Sequence, residues 1–577
     1  MFLRPKLSLS ALAGLTLPAS VLFAQVSLAP APAAQSAQPA LAAPAQPVPS
    51  EKPPERIQVQ ELASLNPNEA GVVDEAHGAL GQAMWTGTSL NLISRGIPLL
   101  PNQPGWRALR SLEMRLLESP ASLPEGKPGS ESVVSLRAGK LEAIGAADAA
   151  AQLLSHVPGP QMTPTQRRLQ VDAFLLSSDY AGACAQEPAL RSALQSDNYA
   201  QQVQVFCQFQ GGRGNEAGLG IDLLRDQKLK DPAFFAAADA LSGLPPAKLD
   251  WASGLSPVSL AMAVQAKLPL TEAAVSAAPP AVLPALARDT ALTPETRIAA
   301  AERALALGLI PADTLRQLYD AEPGDIATAS SETGKTAKSR AILYKAVESQ
   351  SAPARQAELI QRALAGDPAG APLVYAPTLV AMQPTSELVS FAPWAVRSLL
   401  AAGKTEAVRP WLGTLRAEGL MSGGNGVNGG QTAGVAASLK PLARLAGLVD
   451  PLTAADLAAW RQARTDSPAD SVKRTLLLMC LLQALGDTPP DDEWLPLLDG
   501  PSVISGKVSR SALSVGLMGA ATAQRKGETA LYALLALGES RDAEPAEFAR
   551  LVASLKAAGL GNDARALAVE LALAYGI

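Results

Sequence analysis

One arrangement recurs along this 577-residue chain and limits what it can fold into. An apolar stretch ends in small residues, a glycine or polar turn follows, and an alanine-led second stretch begins. Phe206-Cys207-Gln208-Phe209-Gln210-Gly211 runs into Asn215-Glu216-Ala217. Ala304-Leu305-Ala306-Leu307-Gly308 runs into Ala312-Asp313, and Ser398-Leu399-Leu400-Ala401-Ala402-Gly403 runs into Thr405-Glu406-Ala407. Ser554-Leu555-Lys556-Ala557-Ala558-Gly559 runs into Asn562-Asp563-Ala564. Glycine there supplies the left-handed residue that ends a helix. Alanine at the next start lets two helices pack closely. Asp313 and the pair Asn562-Asp563 supply side chains of the kind that cap a helix N-terminus. Inside the second stretches apolar residues return with the helical period: Val408, Trp411, Leu412 and Leu415 share one face, as do Leu567 and Leu571. Pro410 fits only if its helix begins close by.

A hairpin of this kind buries only part of its apolar face, so stacking on neighbours completes the core. About 520 residues at roughly 35 per hairpin leave room for some fifteen hairpins. Composition agrees: aromatics are 4% and charged residues 18% of the chain, against a usual charged share of about 25%. The apolar part is carried by alanine and leucine, the best helix formers. The expected fold is all-α, an irregular α-solenoid of stacked helical hairpins. Irregular packing into two or three separate globules is the competing arrangement. The small-residue, glycine-turn, alanine-start pattern resembles tetratricopeptide-like helical repeats. The whole chain resembles the alanine-rich exported helical proteins of Gram-negative bacteria. The repeat family's full consensus of aromatic and proline positions does not recur.

The N-terminus reads as a secretory signal peptide over residues 1–24. Arg4 and Lys6 form a basic start, an uncharged apolar stretch follows, and Leu22-Phe23-Ala24 offers a cleavage site before Gln25. Its removal takes two bases from a net charge of −5 and leaves about −7. Residues 25–56 are Ala/Pro-rich without a hydrophobic period, which predicts a disordered linker. An α-helical repeat array is expected over residues 57–418, a glycine-rich flexible loop over 419–434 and a C-terminal helical unit over 435–577. Residues 322–338, polar and aperiodic, form a further break. Residues 476–485 are apolar but too short to span a bilayer, and they read as a buried helix.

Export sets the reading of the cysteines. In an oxidising compartment Cys184 and Cys207, 23 residues apart, are the natural disulfide pair, with two buried free thiols as the alternative. Cys480 lies in the apolar helix and reads as an inert core thiol.

Motifs for chemistry are sparse. His77 and His156 are the only histidines. Asp74-Glu75-Ala76-His77 reads as a solvated helix surface, since a good metal site needs three or four converging ligands. His156 suits a helix C-terminus. Ala329-Ser330-Ser331-Glu332-Thr333-Gly334-Lys335-Thr336 fits a loose phosphate-binding loop but has no strand before it, so it reads as an interhelical loop. Gly419-Leu420-Met421 and Gly516-Leu517-Met518 resemble a Gly-Leu-Met-Gln stretch of lytic transglycosylases. Ser422 and Gly519 stand where that glutamine belongs, and no Glu-Ser pair precedes either copy at a suitable distance. The likeness fails at the residues that would carry catalysis. No cofactor or metal is expected, and no nucleic-acid partner, since no dense basic run is present.

Two tryptophans, Trp85 and Trp106, lie in the stretch 68–118, whose texture differs from the rest. They serve either to cap the first hairpins or as a surface for a partner. The function expected is that of a non-enzymatic periplasmic scaffold or adaptor for a protein or peptide in the cell envelope, with no transmembrane span after signal cleavage. The alternative is a cell-wall glycan-acting enzyme or the regulatory superhelix of one.

Overall fold

The structure, a computed structural model, describes residues 66–126, 129–245, 255–270, 272–290, 292–367, 369–418, 432–464, 466–494 and 511–577. The expected signal peptide at 1–24, the linker at 25–56 and residues 419–431 of the expected glycine-rich loop lie outside the described residues, as does Gly419-Leu420-Met421. These described residues are all-helical, with 27 α-helices in a stacked arrangement and no strand among them.

In chain order the first helices are α1 (Leu90–Gly96), α2 (Arg107–Glu118), α3 (Val133–Ala143), α4 (Ala147–Leu154) and α5 (Pro164–Leu176). There follow α6 (Tyr180–Ala193), α7 (Asn198–Gln210), α8 (Gly214–Asp226), α9 (Pro232–Leu241) and α10 (Pro257–Gln265). The middle comprises α11 (Glu272–Ala277), α12 (Leu283–Arg288), α13 (Pro294–Ala306), α14 (Ala312–Ala321), α15 (Ala337–Ser349), α16 (Pro353–Gly366), α17 (Ala371–Val374) and α18 (Ala376–Ala381). The last are α19 (Ala392–Ala401), α20 (Val408–Ala417), α21 (Thr432–Leu445), α22 (Ala454–Gln462), α23 (Pro468–Ala484), α24 (Ser511–Thr522), α25 (Lys526–Leu537), α26 (Pro545–Ala557) and α27 (Gly561–Ala574). None of these helices is long and apolar enough to cross a membrane.

Sequential neighbours pack as hairpins, among them α3 on α4, α5 on α6, α7 on α8, α15 on α16 and α26 on α27. Four turns read from the sequence are built alike. Gly212, Gly308, Gly403 and Gly559 have φ of 71°, 69°, 69° and 79°. At Gly403 its own amide donates to Leu400 O and the next amide, Lys404, donates to Leu399 O at 2.7 Å, a paired closure of the helix end. In the first of these turns the left-handed residue is Gly212 and not Gly211, whose φ is −83°. Pro410 falls in the first turn of α20, where its missing amide costs little. Val408, Trp411, Leu412 and Leu415 are all buried, as are Leu567 and Leu571.

The caps expected from Asp313 and Asn562-Asp563 are not the ones made. The N-cap of α14 is Pro311, and α27 starts at Gly561 without a side-chain cap. Asp563 turns instead to Arg115 on α2 and forms an ion pair with it. Thr432 to Gly434, the end of the expected loop, already belong to α21. Helices on both sides of residues 419–431 contribute to one hydrophobic core.

A second, smaller core is built by α5 to α10. Helices α5 and α10 serve both: Val171 and Leu175 face the smaller core, Ala173 and Leu176 the larger. Cys184 on α6 and Cys207 on α7 stand at disulfide distance inside this lobe, with Sγ–Sγ 2.01 Å and Cα–Cα 5.5 Å. Replacing both by serine is expected to lower the stability of the lobe by about 3 kcal/mol, the loop-closure value for 23 residues. Urea midpoints with and without reductant check this. An intact mass showing two free thiols under non-reducing conditions would contradict the bridge.

The array also comes back on itself. Helix α2 packs on α25 and α27, and α27 further touches α19, α21, α23 and α26. Trp106, the N-cap of α2, makes no side-chain cap. The cap comes from far along the chain: the Glu570 carboxylate accepts the amides of Arg107 and Ala108, both at 2.8 Å. A carboxylate suits the positive end of a helix. Arg541 donates to Gly105 O at 2.8 Å and lies 5.5 Å over the Trp106 ring. Trp106 also meets Phe548 edge-on at 5.7 Å. The Gly527 amide donates to Met84 O at 2.9 Å. A Cβ on Gly527 would come within 2.8 Å of that same oxygen, so the close approach requires glycine there.

Candidate functional site: a groove beside the α19–α20 turn

The hairpin α19–α20 is one of those the sequence marks out, and an apolar groove of about 510 Å³ lies along it. The chain leaves α18, passes Met382 and Pro384, and returns through α19. At Gly403 the left-handed turn leaves open space where a Cβ would stand. The prolines Pro384 and Pro410 and the edge of Trp411 then face the same groove. Trp411 is held from behind by Phe391, with ring centroids 5.9 Å apart. The Thr414 hydroxyl lies 3.4 Å from Pro384 O and ties the far wall to α20. Val380 completes the groove and is 49% exposed, so its apolar side chain is open to solvent.

The rim is polar. Lys404 and Glu406 line it. The Glu406 carboxylate is already engaged by Arg409, at 2.6 and 3.3 Å, and these bonds hold it below its ordinary range. The Lys404 ammonium has no ion-pair partner among the described residues. An apolar floor with a polar rim is the anatomy of a protein interface, and the charge left over at this rim is positive.

Trp85 and Trp106, expected to cap the first hairpins or face a partner, are 3% and 1% exposed. Both are buried where the early helices meet α25 and α26, because so large an apolar ring gains most when wholly removed from water. Neither offers a surface in this conformation. His77 is exposed on a short 3-10 turn, with Nδ1 2.6 Å from Asp74 Oδ1. That contact holds the Asp74 carboxyl below its usual range. His156 follows the end of α4. Among the described residues no group of three or more His, Cys, Asp or Glu is placed to hold a metal ion.

The segment 329–336 starts at the end of the 3-10 turn Ile326–Ser330 and runs as a loop into α15, which Thr336 caps. Arg362 donates to Ala329 O at 3.1 Å and to Ser330 O, so the segment packs as a connector. Gly516-Leu517-Met518 lies within α24. Cys480 is half-buried on α23, and burial raises its thiol.

Sequence reasoning missed one polar cluster. Where α3, α5 and α7 meet, the Tyr199 hydroxyl donates to Asp172 Oδ1 at 2.5 Å, and Arg168 lies 4.3 Å over the Tyr199 ring. Burial pushes Asp172 up to about 6, against the Tyr199 bond and the Arg168 charge. Glu142 beside it is raised well above the usual carboxylate range by burial and by Asp172. The i, i+4 spacing of Arg168 and Asp172 was the available signal. The cluster joins three hairpins.

In comparisons with known proteins, no family, no curated protein and no solved structure matches this chain.

Proposed function

We propose that the chain is an exported, non-enzymatic, irregular α-solenoid that serves as a scaffold or adaptor in the bacterial envelope. Its groove beside α19–α20 takes an extended segment of a protein partner. That segment carries an apolar side chain for the floor of Val380, Met382 and Trp411, next to a carboxylate for Lys404. The groove is the observation that carries this reading, and its uncompensated Lys404 selects the acidic partner. The cysteine pair at disulfide distance supports an oxidising compartment.

Fluorescence anisotropy with a labelled hexapeptide of alternating Asp and Leu tests the reading. The peptide should bind saturably, and its Lys/Leu counterpart should not. Val380→Asp should weaken binding about tenfold or more by placing a charge on the apolar floor. Lys404→Glu should reverse the preference between the two peptides. Equal binding of both peptides, or of neither, would sink the proposal.

A further inference from the structure

A second cavity, of about 320 Å³, opens where the two hydrophobic cores meet. That is at the small end of the range of small-molecule sites, about 300–1,000 Å³. Its apolar lining is Leu175 of α5, Leu260 and Val264 of α10, and Ala285 of α12. The polar lining places opposite charges on consecutive residues, Arg288 and Asp289, beside the hydroxyls of Ser178 and Tyr180.

Neighbouring groups hold part of this polar lining. Arg288 Nη2 donates to Leu176 O at 3.1 Å, and Nη1 lies 3.6 Å from Asp148 Oδ2. A guanidinium has five N–H donors, so donors remain for a ligand. Asp289 follows directly on the end of α12, its amide bonded to Ala285 O at 3.1 Å. The Tyr180 ring is braced edge-on by Phe206 at 5.3 Å. Its phenol is raised by burial, against a bond from Ser178, and the Asp289 carboxylate adds to the rise.

Ser178 is the informative residue. The turn from α5 to α6 closes like the glycine turns: the Ser178 amide donates to Leu175 O and the Asp179 amide to Phe174 O. Serine nevertheless occupies the left-handed position, at φ 62°. Lys228, Lys267 and Gln524 share that conformation. Ser178 differs in lining this cavity together with Tyr180. Strain kept where glycine would relieve it points to use of the side chain.

We propose that this cavity binds a free aliphatic α-amino acid. Arg288 meets the carboxylate, Asp289 meets the ammonium, the Ser178 and Tyr180 hydroxyls flank the two charges, and the side chain lies against Leu175, Leu260, Val264 and Ala285. Titration calorimetry on the full chain tests this with L-leucine and L-valine. L-leucinamide and N-acetyl-L-leucine each lack one of the two charges, and each should bind about tenfold more weakly or worse than leucine. These analogues probe the site without altering the fold. Asp289→Asn should weaken leucine binding by a similar factor. Ser178→Gly should raise the unfolding midpoint by about 1–2 °C while weakening leucine binding, a split that a purely structural serine would not produce. The proposal is overturned if neither amino acid binds saturably, if the analogues bind as tightly as leucine, or if both substitutions leave the affinity unchanged.

Discussion

Between pH 5 and pH 8 the protein is expected to lose on the order of 3–4 kcal/mol of folding stability through one side chain, Glu113 on α2. Its side chain is fully buried, and neither carboxyl oxygen has a hydrogen-bond partner among the described residues. Burial pushes its carboxyl up to about 8 from 4.5, even though Lys140 and Arg110 favour the charged form; Glu539 works in the same direction as burial. Lys140 is turned away, donating to Leu100 O and to Asn102 Oδ1.

Below about 4.5 the group is protonated whether the chain is folded or unfolded. From there to about 8 only the folded state keeps the proton, so each rise in pH favours unfolding, and above about 8 the effect levels off. Glu118, raised by burial to about 7, and Asp172, raised to about 6, act in the same direction. Glu142 is raised as well, so Glu113→Gln should reduce the slope by no more than about half and leave a remainder of comparable size or larger. Urea midpoints at pH 5, 6.5 and 8 check this. Parent and variant sharing one slope would exclude Glu113 as its source.

Trp106→Ala should cost about 3–5 kcal/mol, the range for emptying a large buried aromatic site. The distribution of the loss matters more than its size. Trp106 packs on Phe548, which in turn meets Tyr575 at 5.9 Å, and Arg541 lies over its ring. Removing it should loosen α2 together with α26 and α27, though more than 400 residues separate them (Arg107 and Glu570 differ by 463). The lobe of α6 to α9 has its own core and should keep its protection. Hydrogen exchange resolved by segment reads this directly. Loss confined to α2 would show that the two ends do not stabilise one another.

The contrast between these effects and the turns explains what could be read beforehand. The turns at Gly308, Gly403 and Gly559 were legible because a helix end is decided within five or six neighbouring residues. The face of Val408, Trp411, Leu412 and Leu415 was legible for the same reason. The return of α27 onto α2 was not. Nothing near Trp106 announces that its helix is capped by Glu570, and Asp563 looks locally like a cap for its own helix. The buried placement of Trp85 and Trp106 follows from that return, so it was hidden too. The groove was half legible: its α19–α20 side is a regular hairpin, but its other wall is the irregular stretch from Val380 to Pro384. At Ser178 the signal was a serine standing where most of the left-handed turns use glycine, visible only once those turns are compared.

Capping α2 from Glu570 has a consequence for how the chain becomes a folded object. In an open stack of hairpins every contact is with the next unit, and order spreads from any starting point. Here α2 has its first amides satisfied only when a segment 463 residues later arrives. Such high contact order slows the final step and leaves apolar surface bare in the meantime. An intermediate lacking α26 and α27 would leave Trp106 and its neighbours uncovered. Folding of α2 is therefore expected to finish only after the last helices are in place, and hydrogen exchange during refolding checks this.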